Sequence, residues 1–211
     1  MKIKKLDVKI ITLPIFFLAI IVLTGFESLA FCASATGQEL NSSPAKLSGR
    51  MKSIIKTHSE KLQKWVVDPV IIAGVNNQNQ KNMPLDDIKK IDKEWLSGTN
   101  NDFALSLQTN SVGQFLQKKM QSNNMTAQLY VEAILCDRQG AVVGEYPKTT
   151  DYWQGDEDKF IKSYNGGDGH RFIGPLAFDD STQTYSVQIS IPVKDHKKTI
   201  GVLIVGLKNI K

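Results

Sequence analysis

The sequence predicts an α+β fold in which a long N-terminal helix packs on a five-stranded, mostly antiparallel sheet, with small helices over the other face. Apolar residues recur with helical spacing up to about residue 125, and from Gln128 onward apolar and polar residues alternate as they do in strands. Tight turns separate most of the strands, and short connections favour antiparallel pairing. We therefore predict one domain with its helices first and its sheet second.

The first 35 residues have the pattern of an export signal. Four lysines precede an apolar run over residues 10–23, which is shorter than the about 20 residues that a membrane-spanning helix needs. Residues 33–35 (Ala-Ser-Ala) have the small-residue form of a cleavage site. We expect a Sec-type signal over residues 1–35 and a periplasmic or secreted protein. An uncleaved inner-membrane anchor facing outward and lipidation at Cys32 are the alternatives.

The helical part begins after a polar linker over residues 36–46, so the domain is predicted over residues 47–211. Apolar residues from 47 to 66 form one stripe, which we expect to cover the sheet. Asp68-Pro69 is a typical helix start and predicts a second helix that ends in the Gln/Asn-rich stretch 76–82.

Two more helices follow. One is opened by Pro84 and closed by Gly98, and the next carries Val112 and Leu116 on its apolar face, with Ser111 as its expected cap. The five strands are predicted over residues 129–136, 141–146, 171–178, 184–193 and 200–207. The last strand is apolar on both faces, which predicts a position in the middle of the sheet. Residues 149–164 are expected to form an irregular segment and a short helix.

Composition argues against several classes of function. The formal net charge of +5 is spread along the chain without the basic block that a nucleic-acid-binding protein needs. Two cysteines are too few for a disulfide scaffold or a cysteine-rich zinc module. No pair of histidines has metal-ligand spacing, and no Ser or Cys lies in a nucleophile elbow. We therefore predict no enzyme, no catalytic residue, no metal and no cofactor. His58 and Cys136 are expected to be buried structural residues.

Several stretches resemble the single-unit Cache (PDC sensor) family of extracytoplasmic sensor domains. The most distinctive one is residues 150–157, TDYWQGDE. The others are WVVDPV at 65–70, DKEW at 92–95, FDDST at 178–182, YSVQISIPV at 185–193 and IGVL at 200–203. The resemblance covers about residues 47–211. It implies a PAS-like sheet that binds a small molecule outside the membrane and passes its occupancy onward.

Members of that family usually sit in chemoreceptors or sensor kinases, where a transmembrane helix follows the last strand. No second apolar span follows residue 207 in this sequence. We therefore expect a stand-alone binding protein, or one that acts through a membrane sensor kinase or chemoreceptor. A homodimer through the long N-terminal helix is a further expectation. The alternative is a partner-binding or dimerisation module whose pocket is vestigial.

The candidate ligand site lies between the open face of the sheet and residues 149–164. Its predicted ligand-binding residues are Asp151, Tyr152, Trp153, Tyr164, Arg171, Asp179, Tyr185 and Gln188. Tyr152 and Trp153 would form walls, and Asp151, Arg171 and Gln188 would be polar anchors for a carboxylate or an amine. Each also has a structural interpretation: the aromatic residues can fill the core, Arg171 can be a solvated residue at the start of a strand, and Asp179 can form a turn.

Overall fold

The computed structural model describes residues 47–179 and 182–210, so the predicted signal (1–35) and linker (36–46) lie outside the described residues. The helices of the described part are α1 (Gly49–Trp65), α2 (Pro69–Gln80), α3 (Leu85–Leu96), α4 (Asn101–Thr109), α5 (Ser111–Met120), α6 (Asn124–Leu129) and α7 (Asp158–Tyr164). The strands are β1 (Tyr130–Asp137), β2 (Val142–Tyr146), β3 (Phe172–Asp179), β4 (Thr184–Asp195) and β5 (Lys198–Lys208).

The five strands form one sheet in the order β2-β1-β5-β4-β3, and every neighbouring pair is antiparallel. The central strand is β5, and its residues from Thr199 to Leu207 are all buried, as expected for a strand that is apolar on both faces. The predicted α+β class with a PAS-like antiparallel sheet is confirmed.

Helix α1 covers one face of the sheet. Its apolar stripe is buried together with the alternating apolar residues of the strands below it. The buried side chains of this stripe include Met51, Ile55, Leu62 and Trp65, and those of β4 include Val187, Ile189, Ile191 and Val193. Burying a side chain of this size stabilises the fold by about 1.5–3 kcal/mol, so this cluster is a main source of stability. Hereafter this side of the sheet is called the α1 face.

Small helices cover the other face as predicted, and two more of them lie on the α1 face. Ile71 and Val75 of α2 and Val112 and Leu116 of α5 belong to the same cluster as α1. The space between them is tight: a Cβ added to Gly74 would come within 2.5 Å of Val112 Cγ2. An apolar stripe on a helix shows that the helix is packed, but it does not show on which face of a sheet.

The opposite face of the sheet is covered by α3, α4 and α7 over part of its area. A second cluster joins Trp95, Leu107 and Phe160 of these helices to Ile134 of β1 and Ile204 of β5. Cys136 is a free, fully buried thiol in this cluster, and burial raises its pKa well above the ordinary value, so the structural interpretation is confirmed.

The helix and turn signals are mostly confirmed. The Asp68 side chain accepts a hydrogen bond from the Val70 N–H at 3.1 Å and caps α2. The cap of α5 is Asn110, whose Oδ1 accepts from the Gly113 N–H at 2.8 Å, so the prediction of Ser111 was wrong by one residue. His58 is a core residue, as predicted, with its Nδ1 2.6 Å from the Tyr130 hydroxyl. No helix in the part of the chain that the structure describes is long and apolar enough to cross a membrane.

Candidate functional site

A cavity of about 380 Å³ opens on the face of the sheet opposite α1. Its floor is polar and consists of Glu132 from β1 and Ser186 and Gln188 from β4. These residues share one face because Glu132 and Gln188 both lie opposite Gly206 of the central strand. One wall is β3, and the other is residues 149–151 together with the start of α7.

Gly206 makes room for the floor of the cavity. A Cβ at this position would come within 2.8 Å of Glu132 Cγ and 2.9 Å of Val131 Cγ2. Without that methyl group, the side chains from the strands on either side of β5 can meet above it. Gln188 Nε2 donates a hydrogen bond to Glu132 Oε1 at 2.7 Å across this gap. A buried polar pair of this kind is stable only because each partner satisfies the other.

Residues 149–157, which we call the covering segment, are held in place by helix α3. Asp92 Oδ1 accepts hydrogen bonds from the N–H groups of Tyr152 and Trp153, both at 2.9 Å. Trp95 Nε1 donates to the Thr149 carbonyl at 3.1 Å. Asp92 and Trp95 are three residues apart, so they lie on the same side of the helix. The DKEW stretch therefore fixes the backbone of the covering segment from sixty residues away.

A glycine allows the covering segment to approach the turn between β1 and β2. Trp153 Nε1 donates to the Gln139 carbonyl at 2.8 Å. A Cβ added to Gly155 would lie 2.3 Å from Trp153 Nε1 and 2.5 Å from the Gln139 oxygen, so only glycine fits beside this hydrogen bond.

The charges at the floor of the cavity perturb one another. Burial raises the pKa of Glu132, and the nearby Lys159 and the hydrogen bond from Gln188 oppose that rise. Burial alone would lower the pKa of Lys159, but attraction to Glu132 and Glu157 more than offsets it, and the pKa is raised. Lys159 Nζ lies 3.0 Å from Glu157 Oε2. Lys159 is therefore a buried cation whose positive charge is compensated from within the cavity wall.

A second buried acid lies behind the cavity on edge strand β2. Glu145 is fully buried, and its Oε2 accepts a hydrogen bond from the N–H of Thr149, a cavity residue, at 2.9 Å. Its Oε1 has no hydrogen-bond partner among the described residues. Burial raises the pKa of Glu145 to about 8. This side chain is consequently uncharged at neutral pH.

Three of the eight residues that the sequence predicts for the site line the cavity: Asp151, Asp179 and Gln188. Gln188 lies on its floor, as expected for a polar side chain on the strand face away from α1. Asp151 belongs to the wall formed by the covering segment, and Asp179 belongs to β3.

Tyr152 and Trp153 do not line the cavity. Tyr152 is fully buried between Trp95 and Phe103, with ring centroids 5.9 Å and 5.4 Å away. Trp153 is half-buried beside the β1–β2 turn, and Lys89 Nζ lies 4.8 Å from its ring centroid. The two hydrogen bonds to Asp92 fix the backbone here, and both rings pack away from the cavity.

Tyr164, Arg171 and Tyr185 also lie elsewhere. Tyr164 is stacked on Phe160 with ring centroids 5.4 Å apart. Alternation along a strand accounts for the other two: Tyr185 precedes the cavity residue Ser186, and Arg171 precedes the cavity residue Phe172. Neighbouring side chains on a strand point to opposite faces, so Arg171 and Tyr185 are directed toward the α1 face.

Glu132, Lys159 and Glu157 belong to the cavity but were not predicted as site residues. Glu132 carried a usable signal, because it is a charged residue inside a strand that is otherwise buried on both faces. Lys159 and Glu157 look in the sequence like ordinary solvated residues at the start of a helix. Within the described residues, no three His, Cys, Asp or Glu side chains are placed to hold a metal ion.

No protein-family model and no curated protein matches the sequence, but solved structures do. The ligand-binding domain of the Campylobacter jejuni chemoreceptor Tlp3 in complex with 4-methylisoleucine is 18% identical, with a TM-score of 0.38 over 69% of this chain and 62% of that chain. The ligand-binding domain of the Pseudomonas fluorescens chemoreceptor CtaA in complex with L-alanine is 13% identical, with a TM-score of 0.36 over 75% and 58%.

The sensor domain of the V. cholerae histidine kinase DctB is 14% identical, with a TM-score of 0.31 over 75% of this chain and 57% of that chain. The chain thus spans less than two thirds of the length of these three structures. All three are sensor or ligand-binding domains. The family that the sequence resembles is also one of sensor domains.

Proposed function

We propose that this chain is a non-enzymatic, extracytoplasmic sensing domain that binds a small organic amine in the cavity beside Glu132. The observation that carries the proposal is the charge of the cavity lining. Among the described residues, five carboxyl side chains line it, from Glu132, Asp151, Glu157, Asp158 and Asp179, against one ammonium group, that of Lys159. Of the two ligand classes considered from the sequence, this lining favours the amine over the carboxylate.

The acidic excess persists after the internal ion pairs are taken into account. Lys159 is paired with Glu157, and the exposed Asp158 is paired with Lys162 at 2.6 Å. Glu132 and Asp151 form no ion pair with a described residue and give the cavity its negative charge. Asp179 is close enough to Glu132 to contribute to the rise of its pKa. A cation bound between these two carboxylates would relieve that repulsion, whereas an anion would increase it.

The apolar part of the lining suits the hydrocarbon portion of such a ligand. Phe172, Pro175, Ala177 and Phe178 of β3 contribute to the wall. Aromatic rings also attract ammonium groups, by about 0.5–2 kcal/mol depending on exposure. The volume of about 380 Å³ lies in the range of small-molecule sites. We expect a ligand with a short hydrocarbon frame and one or two amino groups.

Thermal denaturation with matched ligand pairs tests the proposal. An amine at about a hundred times its dissociation constant stabilises the fold by about 2.7 kcal/mol, which for a chain of this size raises Tm by roughly 5–10 °C. The carboxylic acid of the same short carbon skeleton, which lacks a medium-length alkyl tail, should leave Tm unchanged. Glu132→Gln keeps the acceptor for Gln188 and should lose most of the amine shift.

The matched control is Glu60→Gln, which removes an exposed carboxylate of α1 outside the cavity and should retain the full shift. A carboxylate series that stabilises the protein while amines do not would overturn the choice of ligand. Amine shifts of equal size in wild type and Glu132→Gln would overturn the choice of site.

An exposed aromatic pair favours a second candidate function, a partner-binding module. Phe178 and Tyr185 are 48% and 56% exposed and pack edge to face with centroids 5.4 Å apart, at the end of edge strand β3. Exposed edge strands can add a strand from another protein. Pull-down of a membrane sensor from an envelope fraction, lost in Phe178→Ser/Tyr185→Ser, would support this candidate. The same experiment distinguishes a stand-alone protein from one that acts through a partner.

A further inference from the structure

A second opening lies on the α1 face of the sheet, away from the proposed amine cavity. It is a groove of about 250 Å³ between helix α1 and the start of strand β3. Ile173 lies directly opposite Ile189, which belongs to the core under α1, whereas its neighbour Phe172 lies opposite Ser190 and lines the amine cavity. The two sites are therefore on opposite faces of the sheet.

The base of the groove is apolar. Leu47, Ile55 and Ile173 line it. Ile55 is buried, while Ile173 remains 38% exposed on an edge strand, where a neighbouring element would ordinarily cover it. Such a surface favours a hydrocarbon group over a fully hydrated ion.

The rim of the groove is positively charged. Lys52 and Lys56 lie four residues apart on α1 and therefore on the same side of the helix, and Arg171, the residue before β3, lines the same groove. No carboxylate of a described residue lines the groove. None of the described acidic residues forms an ion pair with these three side chains. Three cations that surround an apolar base without a counterion from the described part of the chain are complementary to an anion that carries an apolar tail.

A buried hydroxyl completes the arrangement. Ser59 follows Lys52 and Ile55 along the same side of α1, lines the groove and is fully buried. Its Oγ has no hydrogen-bond partner among the described residues. Buried hydroxyl groups are nearly always hydrogen-bonded, so an unpartnered one that lines an opening is a donor available to a ligand.

We infer that this groove binds a medium-chain alkyl carboxylate, with its tail on the apolar base and its carboxylate between the cations of the rim. The volume sets the length of the tail. The groove of about 250 Å³ is slightly smaller than typical sites for drug-sized ligands, which suits an alkyl tail of medium length. The site is independent of the proposed amine cavity, and the two ligands should bind without competing.

Calorimetric titration of the full chain in detergent-free buffer with octanoate, octylamine and acetate tests the inference. Octanoate should bind with one site per chain, whereas acetate lacks the tail and octylamine has the wrong charge, so neither should bind in the groove. Lys52→Gln/Lys56→Gln should weaken octanoate binding about tenfold. Lys64→Gln/Lys118→Gln removes the same charge from exposed positions outside the groove and should leave the affinity unchanged.

Ser59→Ala provides a variant that retains the fold, because it removes a hydroxyl with no described partner. It should denature at or above the wild-type Tm and bind octanoate about threefold more weakly. The inference is overturned if octanoate does not bind, if octylamine displaces octanoate, or if Lys52→Gln/Lys56→Gln has wild-type affinity. A crosslink that places residues 1–46 in the groove of the full chain would overturn it as well. Loss of the amine response with octanoate binding intact would count against the amine cavity alone.

Discussion

Glu145 should make the stability of this protein fall as the pH rises. It is fully buried on β2, where one carboxylate oxygen accepts a hydrogen bond from the Thr149 N–H and the other has no described partner. Burial raises its pKa from the ordinary value of 4.5 to about 8. Glu145→Gln keeps an oxygen to accept the Thr149 hydrogen bond and removes the ionisation. The comparison of the two proteins therefore isolates the cost of charging this side chain inside the fold.

The sign and size of the effect follow from the pKa. Between pH 4.5 and about 8 the carboxyl is ionised in the unfolded chain and protonated in the folded one. The folded state then binds more protons than the unfolded state, so each pH unit of increase lowers the free energy of unfolding by about 1.4 kcal/mol. Over the full interval the loss is about 5 kcal/mol. Below pH 4.5 and above pH 8 the contribution of Glu145 no longer changes.

Thermal denaturation of wild type and Glu145→Gln from pH 5 to pH 9 measures this loss. The Tm of Glu145→Gln minus the Tm of wild type should increase with pH. This difference should be roughly 10–20 °C larger at pH 9 than at pH 5. Glu60→Gln, at an exposed position on α1, is the matched control and should run parallel to wild type. A Glu145→Gln curve that is also parallel to wild type would show that the carboxyl is not desolvated in the native state and would refute the reasoning.

Three further changes probe how the site is held. Asp92→Ala removes the acceptor of two backbone N–H groups and should lower the free energy of unfolding by about 2–3 kcal/mol, with faster amide exchange over residues 149–157; exchange at the wild-type rate would contradict its anchoring role. Trp153→Phe loses the hydrogen bond to Gln139 and should lower the free energy of unfolding by about 1 kcal/mol, while the Tm shifts induced by amines stay unchanged. Loss of those shifts would show that Trp153 takes part in binding. Burial, aided by Lys61, lowers the pKa of His58, so the stability that it contributes is complete above its unfolded value of about 6.5 and is lost on acidification. His58→Gln should flatten stability measured below pH 6.5, and an unchanged slope there would count against it.

The faces of the sheet could be predicted because alternation in a strand has a fixed period. In β4 the apolar set Val187, Ile189 and Ile191 is buried under α1, and the polar residue Gln188 faces the cavity, as the sequence indicates. The central position of β5 follows from the lack of alternation, because a strand that is apolar on both faces must be buried on both. Helix α5 shows where such local rules stop: its stripe predicted burial but not the face of the sheet on which it packs.

The aromatic residues of the covering segment were harder to place, because their orientation is set from a distance. Tyr152 and Trp153 suit a binding site by residue type, and nothing within residues 149–157 decides whether they face the cavity or the core. The decision comes from Asp92, which holds both backbone N–H groups from α3. The DKEW stretch contributed to the resemblance as a sequence motif only. Its physical role, to hold the backbone of the covering segment, is shown by these hydrogen bonds.

The charge of the cavity is a property of the assembled fold and of no single segment. Glu132 comes from β1, Asp151 from the covering segment and Asp179 from the far end of β3. In the sequence Asp151 and Asp179 are separate candidate site residues with nothing to show that they meet, and Glu132 looks like an isolated exception in an apolar strand. Folding brings these three acidic residues together in one cavity. There, burial raises the pKa of Glu132, and the charge of Asp179 adds to the rise. Under the proposed function, a bound amine would offset both the burial of Glu132 and its repulsion by Asp179, which is the physical reason for expecting amines to bind more tightly than carboxylates.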